Sequence, residues 1–169
     1  KWVFSLASVI AQRAIISVDY ELTNYQNMTL KEDYGNYTLG GNDYIKEDFK
    51  MASTLRVGAE IRFTPQISGR VGYAWMQSPL TTEFKNQDEG YLAMPAGTLP
   101  HYTLDGDTHH FTYGLGYRFT RNFFGDIAFV MKWQEDDIYA FPPSERNTAV
   151  KGTLKTNAVQ GLVTLGYRF

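Results

Sequence analysis

The chain has 169 residues, a formal net charge of −2 and no cysteine. That length suits one domain, and the missing cysteine excludes a disulfide framework, a thiolate metal site and a cysteine nucleophile. The charge balance gives no electrostatic reason to expect a nucleic-acid partner.

Trp2 to Ile10 reads as a strand whose facing the pattern does not settle. From Ala14 to Thr23 the residues alternate. Ala14, Ile16, Val18, Tyr20 and Leu22 fall on one face, and Ser17, Asp19, Glu21 and Thr23 on the other, with Ile15 the exception. Period-two alternation means a strand with one apolar and one polar face. From Phe49 to Phe63, Phe49, Met51, Leu55, Val57, Ala59, Ile61 and Phe63 oppose Lys50, Thr54, Arg56, Glu60 and Arg62. Ile67 to Gln77 sets Val71, Tyr73 and Trp75 against Ser68, Arg70 and Gly72. His109 to Phe119 sets Phe111, Tyr113, Leu115, Tyr117 and Phe119 against Thr112, Gly114, Gly116 and Arg118. In Phe123 to Gln134, Ile127, Phe129, Met131 and Trp133 oppose Asp126, Ala128, Lys132 and Gln134. Leu154 to Phe169 sets Val159, Val163, Leu165, Tyr167 and Phe169 against Gln160, Thr164 and Arg168.

The connections alternate in length. Short turns are expected near Ala11–Arg13, Thr64–Gln66 and Thr120–Asn122, as tight hairpins allow. Long loops are expected at about 26–48, 78–108 and 135–153, all rich in Gly, Asn, Asp, Thr and Pro. Short turns at one end and long loops at the other form the outer-membrane barrel pattern. Aromatic residues make up 15% of the chain, as girdles at two membrane interfaces would need. The mean hydropathy of −0.34 excludes a helical membrane protein. It permits a barrel, in which every second strand residue faces lipid. Residues 1–169 are therefore expected to be all-β: an antiparallel up-and-down transmembrane β-barrel with about seven strands visible. A soluble antiparallel sandwich also alternates, but with shorter strands and less lopsided loops. The expected location is the bacterial outer membrane, with outer-membrane lipid and lipopolysaccharide as surroundings. No signal peptide is visible, so one was removed or lies upstream of Lys1.

The chain ends on Leu165, Tyr167 and Phe169, alternating and terminally aromatic. This resembles the last-strand signal that outer-membrane proteins present to the barrel-assembly machinery. An unpaired edge strand can template pairing. Phe169 also suits an interfacial girdle. If the last strand descends to the periplasm, an odd strand count places Lys1 outside. Complete bacterial barrels have an even count. Lys1 is therefore expected not to be the natural start.

The run Ala14-Ile15-Ile16-Ser17-Val18-Asp19-Tyr20-Glu21 follows a short turn. With Phe49-Lys50, Arg56-Val57-Gly58-Ala59-Glu60, Thr64-Pro65 and Gly114-Leu115-Gly116-Tyr117-Arg118-Phe119, it resembles the C-terminal half of FadL/TodX-type transporters for hydrophobic compounds, especially Bacteroidetes-like members. The resemblance spans the chain on motifs of moderate specificity. It implies half of a barrel of about fourteen strands and passive uptake of hydrophobic small molecules such as long-chain fatty acids. It further implies an N-terminal plug and a kinked strand upstream of Lys1; no residue here matches either.

The polar face carries Lys50, Arg56, Glu60, Arg62, Arg70, Arg118, Asp126 and Lys132. They suit a salt-bridge ladder stiffening the lumen or a cationic patch for a carboxylate. Asp105-Gly106-Asp107-Thr108-His109-His110 contains metal-ligand types, but consecutive strand histidines point to opposite faces, so no metal or other cofactor is expected. Glu135-Asp136-Asp137 reads as a solvated loop charge run. There is no nucleophile elbow and no phosphate-binding glycine motif, so an enzyme is not expected. Tyr91, Leu92, Met94 and Leu99 make one external loop unusually apolar. They suit a hydrophobic surface at the barrel mouth or packing on a neighbouring loop. Tyr73, Trp75, Tyr113 and Trp133 read as girdle residues. The expected function is a channel for hydrophobic molecules. The alternative is a structural or adhesive barrel whose loops bind partners without transport.

Overall fold

A computed structural model describes residues 1–31, 42–81, 102–140 and 150–169. Among these residues the chain is almost entirely antiparallel β-sheet. The strands are β1 (Trp2–Ile10), β2 (Ala14–Asn24), β3 (Met51–Arg62), β4 (Ile67–Met76), β5 (Tyr102–Leu104), β6 (Thr108–Arg118), β7 (Phe123–Tyr139) and β8 (Lys151–Tyr167), with one helix, α1 (Asn42–Asp48). They form one sheet ordered β1-β2-β3-β4-β6-β7-β8. The short β5 continues the line of β6 along the same edge of β7. Seven lines of strand thus cross the sheet, each antiparallel to the next. Among the described residues β1 pairs only with β2 and β8 only with β7, so each carries an unpaired edge.

The register follows from the alternation, because a slip of one residue would turn every apolar side chain to the wrong face. One row runs Leu6, Val18, Val57, Tyr73, Phe111, Met131, Val159, crossing all seven lines. Rows above and below are apolar too, such as Ile61 beside Gly69, Leu115, Ile127 and Val163. This face has nothing packed on it: Leu115 is 62% exposed, Val159 69% and Val163 74%. The register also settles β1. Trp2, Phe4, Leu6 and Ile10 join the apolar face, and Val3, Ser5, Ala7 and Val9 the opposite one. Sequence pattern could not separate them because both faces of β1 are largely apolar.

Two of the three short turns share one construction. At Thr64 and again at Thr120, the threonine hydroxyl accepts the N–H of residues two and three places on, at 3.2 and 3.0 Å and at 3.3 and 3.0 Å. A threonine side chain thereby holds each turn. The first turn differs. Arg13 N–H donates to Ile10 C=O at 3.0 Å, and Ala11 and Gln12 have φ of 48° and 55°. Two successive left-handed residues are what a type I′ hairpin turn demands.

The strands run further into the expected third loop than the sequence pattern indicates. β7 reaches Tyr139 and β8 starts at Lys151. Glu135 pairs with Lys155 and Asp137 with Lys151, each at 2.8 Å, so cross-strand charge pairs extend the ladder. Glu135-Asp136-Asp137 is therefore a strand segment and not a loop run. In the other two expected loops lie α1 and β5. Asn42 opens α1 and fixes it: its side-chain amide accepts Leu30 N–H at 2.6 Å and donates to Leu30 C=O at 2.9 Å.

At this long-loop end the chain builds a small core. Leu80, Leu104 and Tyr139 are buried, with Phe49 and Tyr102 against them, and the rings of Tyr102 and Tyr139 stack at 5.0 Å. A polar latch adjoins it. Residues 105–107 bulge between β5 and β6 opposite Glu135 and Asp136. Buried Asp136 accepts Gly106 N–H at 2.8 Å and Gln134 Nε2–H at 2.7 Å. Asp107 accepts Trp75 Nε1–H at 2.9 Å and Ser78 N–H at 2.8 Å.

Candidate functional site: the polar face and its arginine rim

Strand parity puts Arg56, Glu60, Arg62, Arg70, Arg118, Asp126 and Lys132 on one face, opposite the apolar one. Lys50 stands just before β3, at the long-loop end, where its N–H donates to Pro79 C=O at 2.7 Å. Asp19 and Glu21 share the polar face. A ladder of ion pairs crosses it. Glu21 takes Lys1 at 2.7 Å and Arg56 at 3.2 Å. Arg56 sits directly across from Asp19 but reaches diagonally to Glu21. Arg70 takes Glu60 at 2.8 Å and Asp126 at 2.5 Å.

The second of those bridges spans an entire strand. Arg70 lies on β4 and Asp126 on β7, with β6 between them. It is possible because β6 presents Gly114 opposite Arg70 and Gly116 opposite Asp126. A Cβ on Gly116 would come within 2.6 Å of an Asp126 carboxylate oxygen and 2.8 Å of the Ser68 hydroxyl. The glycines are a floor over which the guanidinium lies.

Near the short turns this face holds a concavity of about 340 Å³, lined by Arg62, Arg70, Arg118, Arg121, Arg168 and the acids Glu60 and Asp126, among others. Arg121 escaped the sequence reading, which put Arg168 on the polar face but not among the candidate site residues. For Arg168 the signal was a repeat: Arg62-Phe63-Thr64 recurs as Arg118-Phe119-Thr120, and Arg168-Phe169 begins it a third time. The structure holds the three copies alike. Arg62 N–H donates to Arg13 C=O, Arg118 N–H to Gln66 C=O and Arg168 N–H to Asn122 C=O, at 2.8, 2.8 and 2.7 Å. Each acceptor is the residue just before β2, β4 or β7. Strand parity then turns each arginine to the polar face and each phenylalanine to the apolar one. Asn122 Nδ2–H also donates to Arg168 C=O at 2.7 Å, securing the end of β8.

The polar face is not polar throughout. On β7 and β8 it carries Phe124, Ala128, Val130, Ala158 and Leu162, a stripe that starts at the concavity and runs away from the turns. On β1 and β2, Val3, Ala7, Val9 and Ile15 do the same. These apolar side chains alternate with charged or polar ones on the same strands, Asp19 and Glu21 on β2 and Asp126 and Lys132 on β7.

On the apolar face the expected girdle residues converge at one level. Trp75, His109 and Trp133 lie across from one another. The rings of His109 and Trp133 stack at 5.3 Å, and Tyr73 Oη lies 2.8 Å from His109 Nδ1. Tyr113 lies lower, stacked on Phe129 at 5.3 Å. His110 points the other way, opposite Ala74 and Lys132. Leu165 and Tyr167 are exposed on the apolar face of β8, and Phe169 packs edge-on against Tyr167 at 5.4 Å. Tyr91, Leu92, Met94 and Leu99 lie outside the described residues.

At the long-loop end, burial raises the pKa of the Tyr139 hydroxyl and of the Asp48 carboxyl, the latter with help from Glu47. The hydrogen bond to Asp137 raises that of Lys151. No family model matches the chain, and no curated protein or solved structure shows significant similarity to it.

Proposed function

We propose that this chain forms seven spans of a transmembrane β-barrel in a bacterial outer membrane, and that the barrel passes hydrophobic molecules. The observation that carries the reading is the unbroken apolar face. Along β7 it extends from Phe123 to Trp133. Ten steps of about 3.4 Å, tilted by about 40°, give a height of roughly 26 Å, close to the ~25 Å apolar band of outer-membrane barrels. Six inter-strand gaps of about 4.8 Å make it roughly 29 Å wide. The strand length of about 34 Å times that width gives roughly 980 Å², which exceeds the ~300–600 Å² of the largest apolar patch on a typical soluble monomer. Lipid is the solvent that such a face suits. The opposite face, wet and ion-paired, suits a lumen.

The two unpaired edges require partners, since open sheet edges do not occur in hydrocarbon. Further strands, in this chain or a second one, would meet them, and the assembly machinery would first engage β8. The resemblance to FadL/TodX-type transporters supports a hydrophobic substrate, as do the apolar flanks of the polar face.

Reconstitution tests this. The protein is inserted into liposomes, exposed to protease, and assayed for uptake of a labelled long-chain fatty acid. Protected fragments ending in the long loops, with uptake above empty liposomes, are expected. Complete digestion sinks the membrane reading. Protection without uptake favours the second reading, a structural or adhesive barrel. That reading draws on the ion-pair ladder and the buried loop-end core, which would hold external loops in a fixed shape.

A further inference from the structure

The ladder on the polar face is unevenly balanced. Both acids at the short-turn end, Glu60 and Asp126, are taken by Arg70. Arg62, Arg118, Arg121 and Arg168 line the same concavity and have no acidic partner among the described residues. The backbone hydrogen bonds of the repeated Arg-Phe ends set three of these four at matching positions, so the fold gives them one face and one end of the sheet. Gathering like charges costs energy unless an anion meets them, and a guanidinium fork is shaped to grip a carboxylate or phosphate through two parallel hydrogen bonds. Arg121 comes from the turn, so the cluster closes the concavity from its short-turn side.

A bare anion would need only this charge. The apolar stripe beside it indicates more. Phe124 lines the concavity, and beyond Asp126 the stripe resumes with Ala128, Val130 and Leu162 toward the long-loop end, with Gln160 across from Val130. Its side chains are uncovered: Phe124 is 38% exposed and Leu162 46%. A charged pocket that opens onto an apolar track is complementary to one kind of molecule, with an anionic head and a hydrocarbon tail.

We infer that the arginine rim at the short turns is a binding site for the oxyanion head of an amphiphile, whose tail lies along the β7–β8 stripe. This rests on the reading that the polar face lines a lumen. It adds a direction: the head sits at the short-turn mouth, and the tail points back toward the long loops. The head is a carboxylate or a phosphate ester, and the tail distinguishes either from free phosphate.

The test uses the protein in nanodiscs of neutral phosphatidylcholine, with empty discs as the blank. Laurate, dodecanol and inorganic phosphate are titrated separately. Saturable laurate binding is expected, with dodecanol at least about ten-fold weaker, because the charge-assisted bonds are missing. The combined variant Arg118→Gln, Arg121→Gln, Arg168→Gln is expected to weaken laurate by about ten-fold or more. Leu162→Gln is expected to weaken laurate and leave any phosphate binding unmoved. Lys155→Gln, on the opposite face, controls for net charge. Circular dichroism checks that each variant keeps its strand content; if the triple variant loses it, Arg118→Gln and Arg168→Gln made singly carry the same expectation, each by a smaller factor. Equal affinity for laurate and dodecanol overturns the inference, as does laurate binding unchanged in the arginine variants. Phosphate binding as tightly as laurate reduces the site to a bare anion site and overturns the amphiphile. The lumen reading fails separately, through complete digestion in liposomes; protection with unchanged laurate binding sinks this inference alone.

Discussion

The two ends of this sheet are built on opposite principles. The long-loop end has what a soluble domain has: buried Leu80, Leu104 and Tyr139, and buried polar side chains with partners, as at Asp136, with Asn24 Oδ1 an exception. Among the described residues the short-turn end has no buried side chain; it relies on repeated backbone hydrogen bonds and threonine-held turns, and it leaves cations unmatched. Packing fixes one end and backbone geometry the other. An end fixed by packing tolerates little change of shape. An end fixed by backbone bonds leaves its side chains available for a ligand.

Glycine substitutions at the two ends should separate these principles most widely. A Cβ at Gly106 would fall 1.8 Å from the Glu135 carbonyl oxygen, a backbone atom that cannot swing away. Gly106→Ala must push β5 off β7, and should cost about 3 kcal/mol or more. At Gly69 the obstacle is the edge of the Phe63 ring, at 2.6 Å, which can rotate. Gly69→Ala should cost less than about 1 kcal/mol. Denaturant titrations of both variants in micelles decide it. Similar midpoints for the two would mean that the loop-end bulge does not hold β5 in place.

The next effect lies in the latch. Asp136 Oδ1 receives two N–H groups in a buried setting. Asp136→Ala strands both and should cost about 2 kcal/mol. Asp136→Asn keeps an acceptor oxygen and should recover more than half of that loss. The same titration reads both variants. If Asn is as damaging as Ala, the carboxylate charge matters and the hydrogen-bond geometry does not.

How far the sequence went follows the same division. Where alternation is strict it gave the strands, their faces and the three tight turns, because a period-two pattern admits one register. It misjudged Glu135-Asp136-Asp137, since three acids in a row look like loop; only the lysines across at 151 and 155 explain them as strand. The loop-end core was hidden because Leu80, Leu104 and Tyr139 are far apart in sequence and isolated among polar residues. The polar-face residues were legible singly. Their pairing was not, because Arg70 reaching Asp126 depends on two glycines of a third strand. The Arg-Phe repeat marks Arg168 as equivalent to Arg62 and Arg118; Arg121, a turn residue outside that repeat, carried no such signal.

At the short-turn end the first turn offers a gain. Ala11 and Gln12 both sit in the left-handed region, which a Cβ disfavours. Replacing them with Asn-Gly, the pair best suited to such a turn, should stabilise the β1–β2 hairpin by about 1 kcal/mol. Hydrogen exchange of the β1 amides should slow accordingly. No change would mean that β1 opens without the turn, from its unpaired edge.

The smallest effect returns to the long-loop end, where β7 and β8 continue beyond the apolar band. There Lys151 Nζ meets Asp137 Oδ2 at 2.8 Å, and this hydrogen bond raises the lysine above its ordinary value of 10.5. A lysine whose pKa is higher folded than unfolded contributes stability that is whole below the unfolded value. That contribution is lost as pH rises through the folded one. Protection of the hairpin tip against protease should therefore stay level from roughly pH 6 to pH 9 and fall only above the ordinary lysine range. Lys151→Gln should remove that fall and lower the neutral-pH value by the same small amount, small because the side chain is 51% exposed and screened by salt. A loss of protection already below about pH 9 would assign control of the tip to another group. The ladder extension would then rest on backbone pairing alone, and the two ends of the sheet would be more alike than their side chains suggest.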